Sequence, residues 1–265
     1  MRIAKNKDIS QLLYSCYPEK SRQPDSFVKE HVLIRILSGN MILHSISATY
    51  NFTSGDTVLL KRNQLVKMTR IPPANGKYES VSVYFDQGAL KSFAAENNIH
   101  PQPIYTGSPV VLLTANTLYT SYASSLAAYQ QGETNQGLTG LKVKEGLMLI
   151  LHLDQAATAL LFDFQEPEKT DLEEYMNTHF RFNTGTERLA YLTGRSLATF
   201  KRDFTKIFNT SPGKWLQQRR LKEAYHLIRE KRMKASEVYL EVGFEDLSHF
   251  SFAFKNKFGQ PPSLI

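Results

Sequence analysis

Cysteine is almost absent from this 265-residue chain: Cys16 stands alone, so no disulfide can close within the chain and no cysteine-based zinc site can be built. A small, partly buried side chain is the expectation for Cys16. Long apolar runs are missing too. The longest mainly apolar stretch, residues 147–153, falls far short of the ~20 residues a membrane span requires. The opening segment MRIAKNKDIS lacks the apolar core of a secretory signal. No two of the seven histidines lie within four residues of each other, which argues against a metal site built on closely spaced imidazoles. His44 sits alone on an apolar strand pattern and reads as a satisfied core histidine. No Ser/His/Asp or Cys/His spacing suggests a nucleophilic site. These absences point to a soluble, cytoplasmic, non-enzymatic protein with no cofactor and no bound metal.

What is present is a basic excess with a particular location. The formal net charge is +7, yet residues 1–170 carry only +2 and residues 171–265 carry +5. Between Arg195 and Lys234 there are 12 basic residues against 3 acidic ones. A cationic cluster of this density suits a polyanion, because each Lys or Arg that neutralises a phosphate releases a condensed counterion. A solvated basic surface would look the same, so charge opens the question without settling it.

The pattern along the chain divides it in two. From His31 to Asp86 it reads as short strands separated by turn formers at residues 38–40, 54–56 and 72–76. Val81, Val83 and Phe85 alternate as in a half-buried strand, and Ile42, His44, Ile46, Ala48, Tyr50 and Phe52 share one face of another. Two long helices are expected over residues 114–131 and 138–155, parted by turn formers at 132–137. In the second helix Leu141, Glu145, Met148, His152 and Gln155 form a mixed face, while Leu147, Ile150, Leu151 and Asp154 add a second apolar stripe. Either the helices make a dimer interface or both stripes bury within one domain. Residues 165–170, polar and carrying Pro167, read as a linker. The expected domains are therefore 1–165 and 166–265.

The second part contains an internal repeat. At an offset of 50, Leu197, Phe200, Phe204, Phe208 and Pro212 match Leu247, Phe250, Phe254, Phe258 and Pro262. At an offset of 49, Leu189, Thr193 and Gly194 match Val238, Val242 and Gly243, so the second turn holds one extra residue. In each copy the Leu and Phe residues, spaced three, four and four, share one helix face and bury together. Gly194 supplies a tight turn and Ser196 a cap, with Gly243 and Asp246 in the same roles. The opposite faces carry Ala198, Lys201, Arg202 and Thr205, and Ser248, His249, Ser251, Phe252 and Lys255. A short helix, a glycine turn and a capped helix with one apolar and one polar face make a helix-turn-helix, whose second helix enters the major groove. A helix over residues 212–230 joins the units. At ~1.5 Å per residue it spans ~28 Å, comparable to the ~34 Å between successive major grooves on one DNA face.

Residues 171–265 resemble the AraC/XylS family of bacterial transcription activators. The likeness rests on Leu189-Ala190, Gly194-Arg195-Ser196, Phe200-Lys201-Arg202, Phe204, Ser211-Pro212, Arg220-Leu221, Ala224, Val242-Gly243-Phe244, Asp246, Ser248, Phe250, Phe254-Lys255, Phe258-Gly259 and Pro262. It implies an α+β two-domain protein whose C-terminal all-α domain carries two helix-turn-helix units. It also implies double-stranded promoter DNA as a partner and activation through RNA polymerase. Carried over by position, the first unit would meet DNA through Arg195, Ser196, Ala198, Thr199, Lys201, Arg202, Thr205 and Lys206. The second would use Ser248, His249, Ser251, Phe252, Lys255 and Lys257. Lys206 and Lys257 are the expected phosphate contacts. Phe252 stands where the family usually has a polar residue, often Arg, so this unit either reads thymine methyls or serves mainly to position the chain. Tyr239 replaces a usual alanine.

The strand region resembles more faintly the cupin-like β-barrel that precedes such domains, through Gly55-Asp56 and the strand that follows. That resemblance implies an effector, either a small molecule or a regulatory protein, and dimerisation through the helices behind it at residues 114–155. A cupin-type enzyme, or a protein-interaction module with a vestigial DNA-binding domain, is the alternative. A DNA-repair methyl acceptor is disfavoured because Cys16 lies far from the helical region.

Overall fold

The computed structural model describes residues 11–22, 27–100, 104–127 and 136–265. The opening ten residues, the end of the helix expected to reach residue 131, and residues 132–135 of the expected turn lie outside the described residues. Two compact units result, one built mainly from residues up to 165 and the other mainly from residues 166–265.

The strands are β1 (Leu12–Tyr17), β2 (Ser21–Arg22), β3 (Phe27–Val28), β4 (His31–Ser38), β5 (Asn40–His44), β6 (Thr49–Thr53), β7 (Thr57–Leu60), β8 (Gln64–Leu65), β9 (Lys67–Ile71), β10 (Tyr78–Phe85) and β11 (Val110–Leu112). Five form an antiparallel sheet in the order β1-β10-β4-β7-β11, and four form a second in the order β2-β9-β5-β6. β3 and β8 make a separate pair. Among the described residues these pairings do not close the sheets, so the N-terminal unit is β-rich and two-sheeted, and the cupin-like β-barrel expected is not formed by them.

Helices α1 (Gln87–Glu96), α2 (Thr117–Ala127), α3 (Gln136–Leu153) and α4 (Gln155–Leu161) accompany the larger sheet. Val81, Val83 and Phe85 of β10 bury with Phe93, Tyr119, Tyr122, Leu147, Ile150 and Phe162 in one core. The strand is not half-buried as its alternation suggested. Ser80 and Ser82, on the opposite face, are buried as well. On that side the Tyr78 hydroxyl lies 3.8 Å from Met41 Sδ of the second sheet.

Other expectations are corrected. The single strand read through residues 42–52 is a hairpin, β5 and β6, with Ile46 exposed at its tip. Met41 and Leu43 are the buried pair, which puts His44 on the other face; its Nδ1 meets the Thr49 hydroxyl at 2.9 Å. Cys16 is exposed. The helix expected to continue to residue 155 stops before Asp154, whose carboxylate accepts hydrogen bonds from Thr114 and from the Tyr119 hydroxyl. Of the two stripes on α3, Leu147 and Ile150 are fully buried, whereas Leu141 and Met148 stay 64% and 53% exposed.

The second unit is helical: α5 (Leu172–His179), α6 (Thr186–Leu192), α7 (Leu197–Phe208), α8 (Pro212–Arg229), α9 (Ala235–Glu241) and α10 (Leu247–Phe258). No helix among the described residues is long and apolar enough to cross a membrane.

Candidate nucleic-acid interface

The repeat becomes a structural repeat, element for element. α6 and α9 each have seven residues, α7 and α10 each have twelve, and the turn between them is four residues in the first copy and five in the second. The change of offset from 49 to 50 therefore falls where the sequence put it. Gly194 and Gly243 adopt φ of +64° and +95°, the left-handed region where a side chain is strained. Space forbids a side chain as well. A Cβ on Gly194 would sit 2.4 Å from the Glu168 carbonyl carbon, and one on Gly243 would sit 2.7 Å from the Arg181 carbonyl oxygen. The segment read as a linker is thus seated, at residues 168–169, on the first turn.

Each second helix is capped as expected. The Ser196 hydroxyl accepts from the Thr199 amide at 3.2 Å, and the Asp246 carboxylate accepts from the His249 amide at 2.7 Å. α7 ends on Asn209 and α10 on Gly259, both left-handed, the usual helix stop.

Behind each helix the aromatic side chains form a core. Phe200, Phe204, Phe250 and Phe254 have no exposed surface. Phe204 and Phe208 lie 4.4 Å apart, with Trp215 packed on both; Phe254 and Phe258 lie 4.6 Å apart, with Tyr225 in Trp215's place. Burying each ring contributes about 1.5–3 kcal/mol. At the end of each first helix, the buried Thr193 hydroxyl donates to the Leu189 and Ala190 carbonyls, and Val242 fills the equivalent place without a polar group.

The outward residues fall largely where the sequence predicted. Ser196, Ala198, Lys201, Arg202, Thr205 and Lys206 are exposed on the first unit, and Thr199 is half-buried. Ser248, His249, Phe252, Lys255 and Lys257 are exposed on the second, and Ser251 is half-buried. Three assignments change. Leu247, expected inward, is 38% exposed. Arg195 has a side chain only 7% exposed, with Nη1 donating to the Thr193 carbonyl at 2.7 Å and Nε facing Asp203 at 3.3 Å. Burial by itself would raise the Asp203 carboxyl, but the Arg195 and Arg202 guanidinium groups outweigh it and hold the group below the ordinary range. Arg195 therefore braces the turn. Lys257 donates to the Gln218 carbonyl of α8 at 2.7 Å, and burial together with Lys222 pushes its ammonium pKa down. Its charge is directed at the connector helix.

Arg220, which the sequence offered only as part of a family match and without a role, is a structural tie. Its Nε, Nη1 and Nη2 donate to the carbonyls of Phe180, Gly243 and Phe182 at 2.8, 2.9 and 2.9 Å. Burial lowers its pKa to about 10, so it remains a cation at neutral pH. One guanidinium thus ties the middle of α8 to the loop after α5 and to the turn of the second unit. The sequence did carry a signal for it: Leu216, Ala224 and Ile228 are the buried residues of one α8 stripe, and Arg220 occupies the remaining i+4 position. The described α8 runs 18 residues, about 27 Å long, close to the expected length.

Among the described residues no group of three His, Cys, Asp or Glu side chains could hold a metal ion.

Comparison with known proteins follows the same division. The ExsA N-terminal regulatory domain family matches residues 31–162, and a helix-turn-helix domain family matches residues 189–264. The chain is 26% identical over 241 residues to the virulence regulon transcriptional activator VirF of Yersinia enterocolitica, covering 86% of each protein. It is 24% identical over 242 residues to the HTH-type transcriptional regulator ExsA of Pseudomonas aeruginosa, covering 89% of this chain and 85% of that one. Among solved structures, apo ToxT of Vibrio cholerae aligns over 98% of both chains at 14% identity and a TM-score of 0.48. With both family matches falling in order along one chain, and transcriptional regulators aligned over most of its length, this protein belongs to the AraC/XylS family of transcriptional regulators.

Proposed function

We propose that residues 166–265 bind specific sites in double-stranded promoter DNA and that residues 1–165 regulate that binding. The observation that carries this reading is the pair of capped helices, α7 and α10, each hiding its phenylalanines and turning a polar face to solvent. On α7 the guanine readers are Lys201 and Arg202, whose donors suit O6 and N7, and Ala198 is placed to touch a thymine methyl. Ser196, Thr199, Thr205 and Lys206 flank them as backbone contacts. On α10 the contacts are Ser248, His249, Ser251, Phe252 and Lys255. Arg195 leaves the reading list because its side chain is buried and held by the Thr193 carbonyl, and Lys257 because it is bonded to the Gln218 carbonyl; Arg202 meets Asp203 at 3.4 Å but stays 76% exposed and keeps its place.

The relatives named as activators support an activator, which on this reading works with RNA polymerase in the cytoplasm. The exposed Leu141 and Met148 on α3 support a homodimer through residues 114–155, which sedimentation of the full chain reads directly. The two sheets and their helical cover fit an opened version of a cupin-like regulatory domain, responding to a small molecule or a regulatory protein.

Genome-wide mapping of bound sites, followed by footprinting, tests the reading; no protected site at low salt would sink it. Within a mapped site, Arg202→Ala is expected to weaken specific binding by about 1–3 kcal/mol and to relax preference at one base pair. An equal loss on all sequences would make Arg202 a phosphate contact instead.

A further inference from the structure

The second helix-turn-helix unit places an aromatic ring where its twin places a guanidinium. Phe252 lies two residues from both Phe250 and Phe254, about 200° around the helix from each, so its ring leaves the phenylalanine core and stands at the rim of an open groove it shares with Gln217 and Gln218 of α8. It is 67% exposed, while the two phenylalanines flanking it have no exposed surface. A lone exposed apolar side chain is ordinary on a protein surface. This one stands on the face that, in a helix-turn-helix, enters the major groove.

Its neighbours narrow what the ring can meet. The outward residues of the first two turns of α10 include Ser248, His249, Ser251 and Phe252, and none of that stretch is Lys or Arg. The two serines are short, and the His249 ring lies 5.6 Å from that of Phe244. The first cation, Lys255, comes most of a turn later, and Lys257 is bonded to Gln218. Bidentate reading of guanine, which needs Arg or Lys, therefore has no side chain in the first two turns of α10. The major groove offers one apolar feature to a protruding ring, the 5-methyl group of thymine.

We propose that Phe252 is the base-reading residue of the second unit and that it recognises the thymine 5-methyl group. The two units then divide the labour: α7 selects guanine through Lys201 and Arg202, and α10 selects thymine through an apolar contact. This rests on the DNA-binding reading above.

The test uses the full-length chain. A random duplex library first yields its preferred site, and the thymines of the second half-site are then replaced by uracil. That change removes the methyl group and keeps every hydrogen-bonding edge. Affinity is expected to fall about fourfold for the contacted thymine, the equivalent of one lost buried apolar carbon. Phe252→Ala should bind the thymine and uracil duplexes equally, and Phe252→Arg should move the selected base towards guanine. Both variants lie on the surface and leave the core intact. Equal affinity of the unaltered protein for the two duplexes, or a thymine preference that survives in Phe252→Ala, overturns the proposal alone. Failure to enrich any sequence overturns the DNA-binding reading together with it.

Discussion

Two residues past the first buried phenylalanine of its second helix, one helix-turn-helix unit carries Arg202 and the other carries Phe252. Around these positions the units agree in helix length, glycine turn, cap and aromatic core. Outward, Lys201 faces Ser251, Arg202 faces Phe252 and Thr205 faces Lys255 across the 50-residue offset. The inner face is fixed by packing, because each ring must fill a defined volume and any change is felt. The outer face is far less constrained by packing and is freer to take whatever chemistry its groove demands. A duplicated unit therefore keeps its architecture and diverges in what it reads.

If the inner faces are equivalent, matched truncations should cost the same. Phe200→Ala and Phe250→Ala are each expected to destabilise the protein by about 3–5 kcal/mol, measured by urea denaturation of the full chain. A cost confined to one of them would break the equivalence and make that unit the sole folding core of the domain. Differential scanning calorimetry would then resolve two transitions in place of one.

Arg220 is the point at which the comparison joins up, since its three hydrogen bonds reach the turn of the second unit and the chain leading into the first. Arg220→Met keeps an unbranched aliphatic stem, ends about where Nε stands, and leaves three carbonyls without their donor. A loss of about 3 kcal/mol is expected, within the range for removing one charged partner from a buried polar set. DNA affinity should fall by more than the stability loss explains, because the two units lose their fixed spacing. Arg220→Lys should recover only part of both, since a single ammonium lacks the planar fork that spans three acceptors. Full recovery by lysine would reduce Arg220 to a point charge.

How far the sequence reveals all this differs between the two halves. The helical half was legible because its information is local: a 3-4-4 spacing, a glycine and a cap each fix a few residues, and duplication states them twice. What escaped there was long-range. Nothing near Arg195 or Lys257 announces that Asp203 and the Gln218 carbonyl engage them. Leu247 reads inward by spacing, yet its place in the first turn leaves it partly in solvent. The strand half was legible in type and wrong in detail. Alternation in β10 predicted one buried face, but serines are small enough to bury on the other when a second sheet covers them. The hairpin at Ser45–Ala48 lacks glycine and proline; its turn is closed by the Ser45 hydroxyl, which both accepts from and donates to Ala48. α1 was passed over because its apolar residues, Leu90, Phe93 and Ala94, span little more than one turn.

The smallest expected difference between the units is electrostatic. Lys206 is exposed in the last turn of α7, whereas Lys257, in the last turn of α10, is bonded to α8 with its pKa pushed down. A lysine that neutralises a phosphate on binding releases about one counterion, and removing it lowers the slope of log affinity against log salt by about 1. Lys206→Ala is therefore expected to flatten the slope by about 1 and to weaken binding uniformly across sequences. Lys257→Ala should leave the slope unchanged while costing some stability at the α8–α10 contact. A flattened slope for Lys257→Ala would mean that DNA draws the ammonium off the Gln218 carbonyl, and the second unit would then clamp the backbone as the first does.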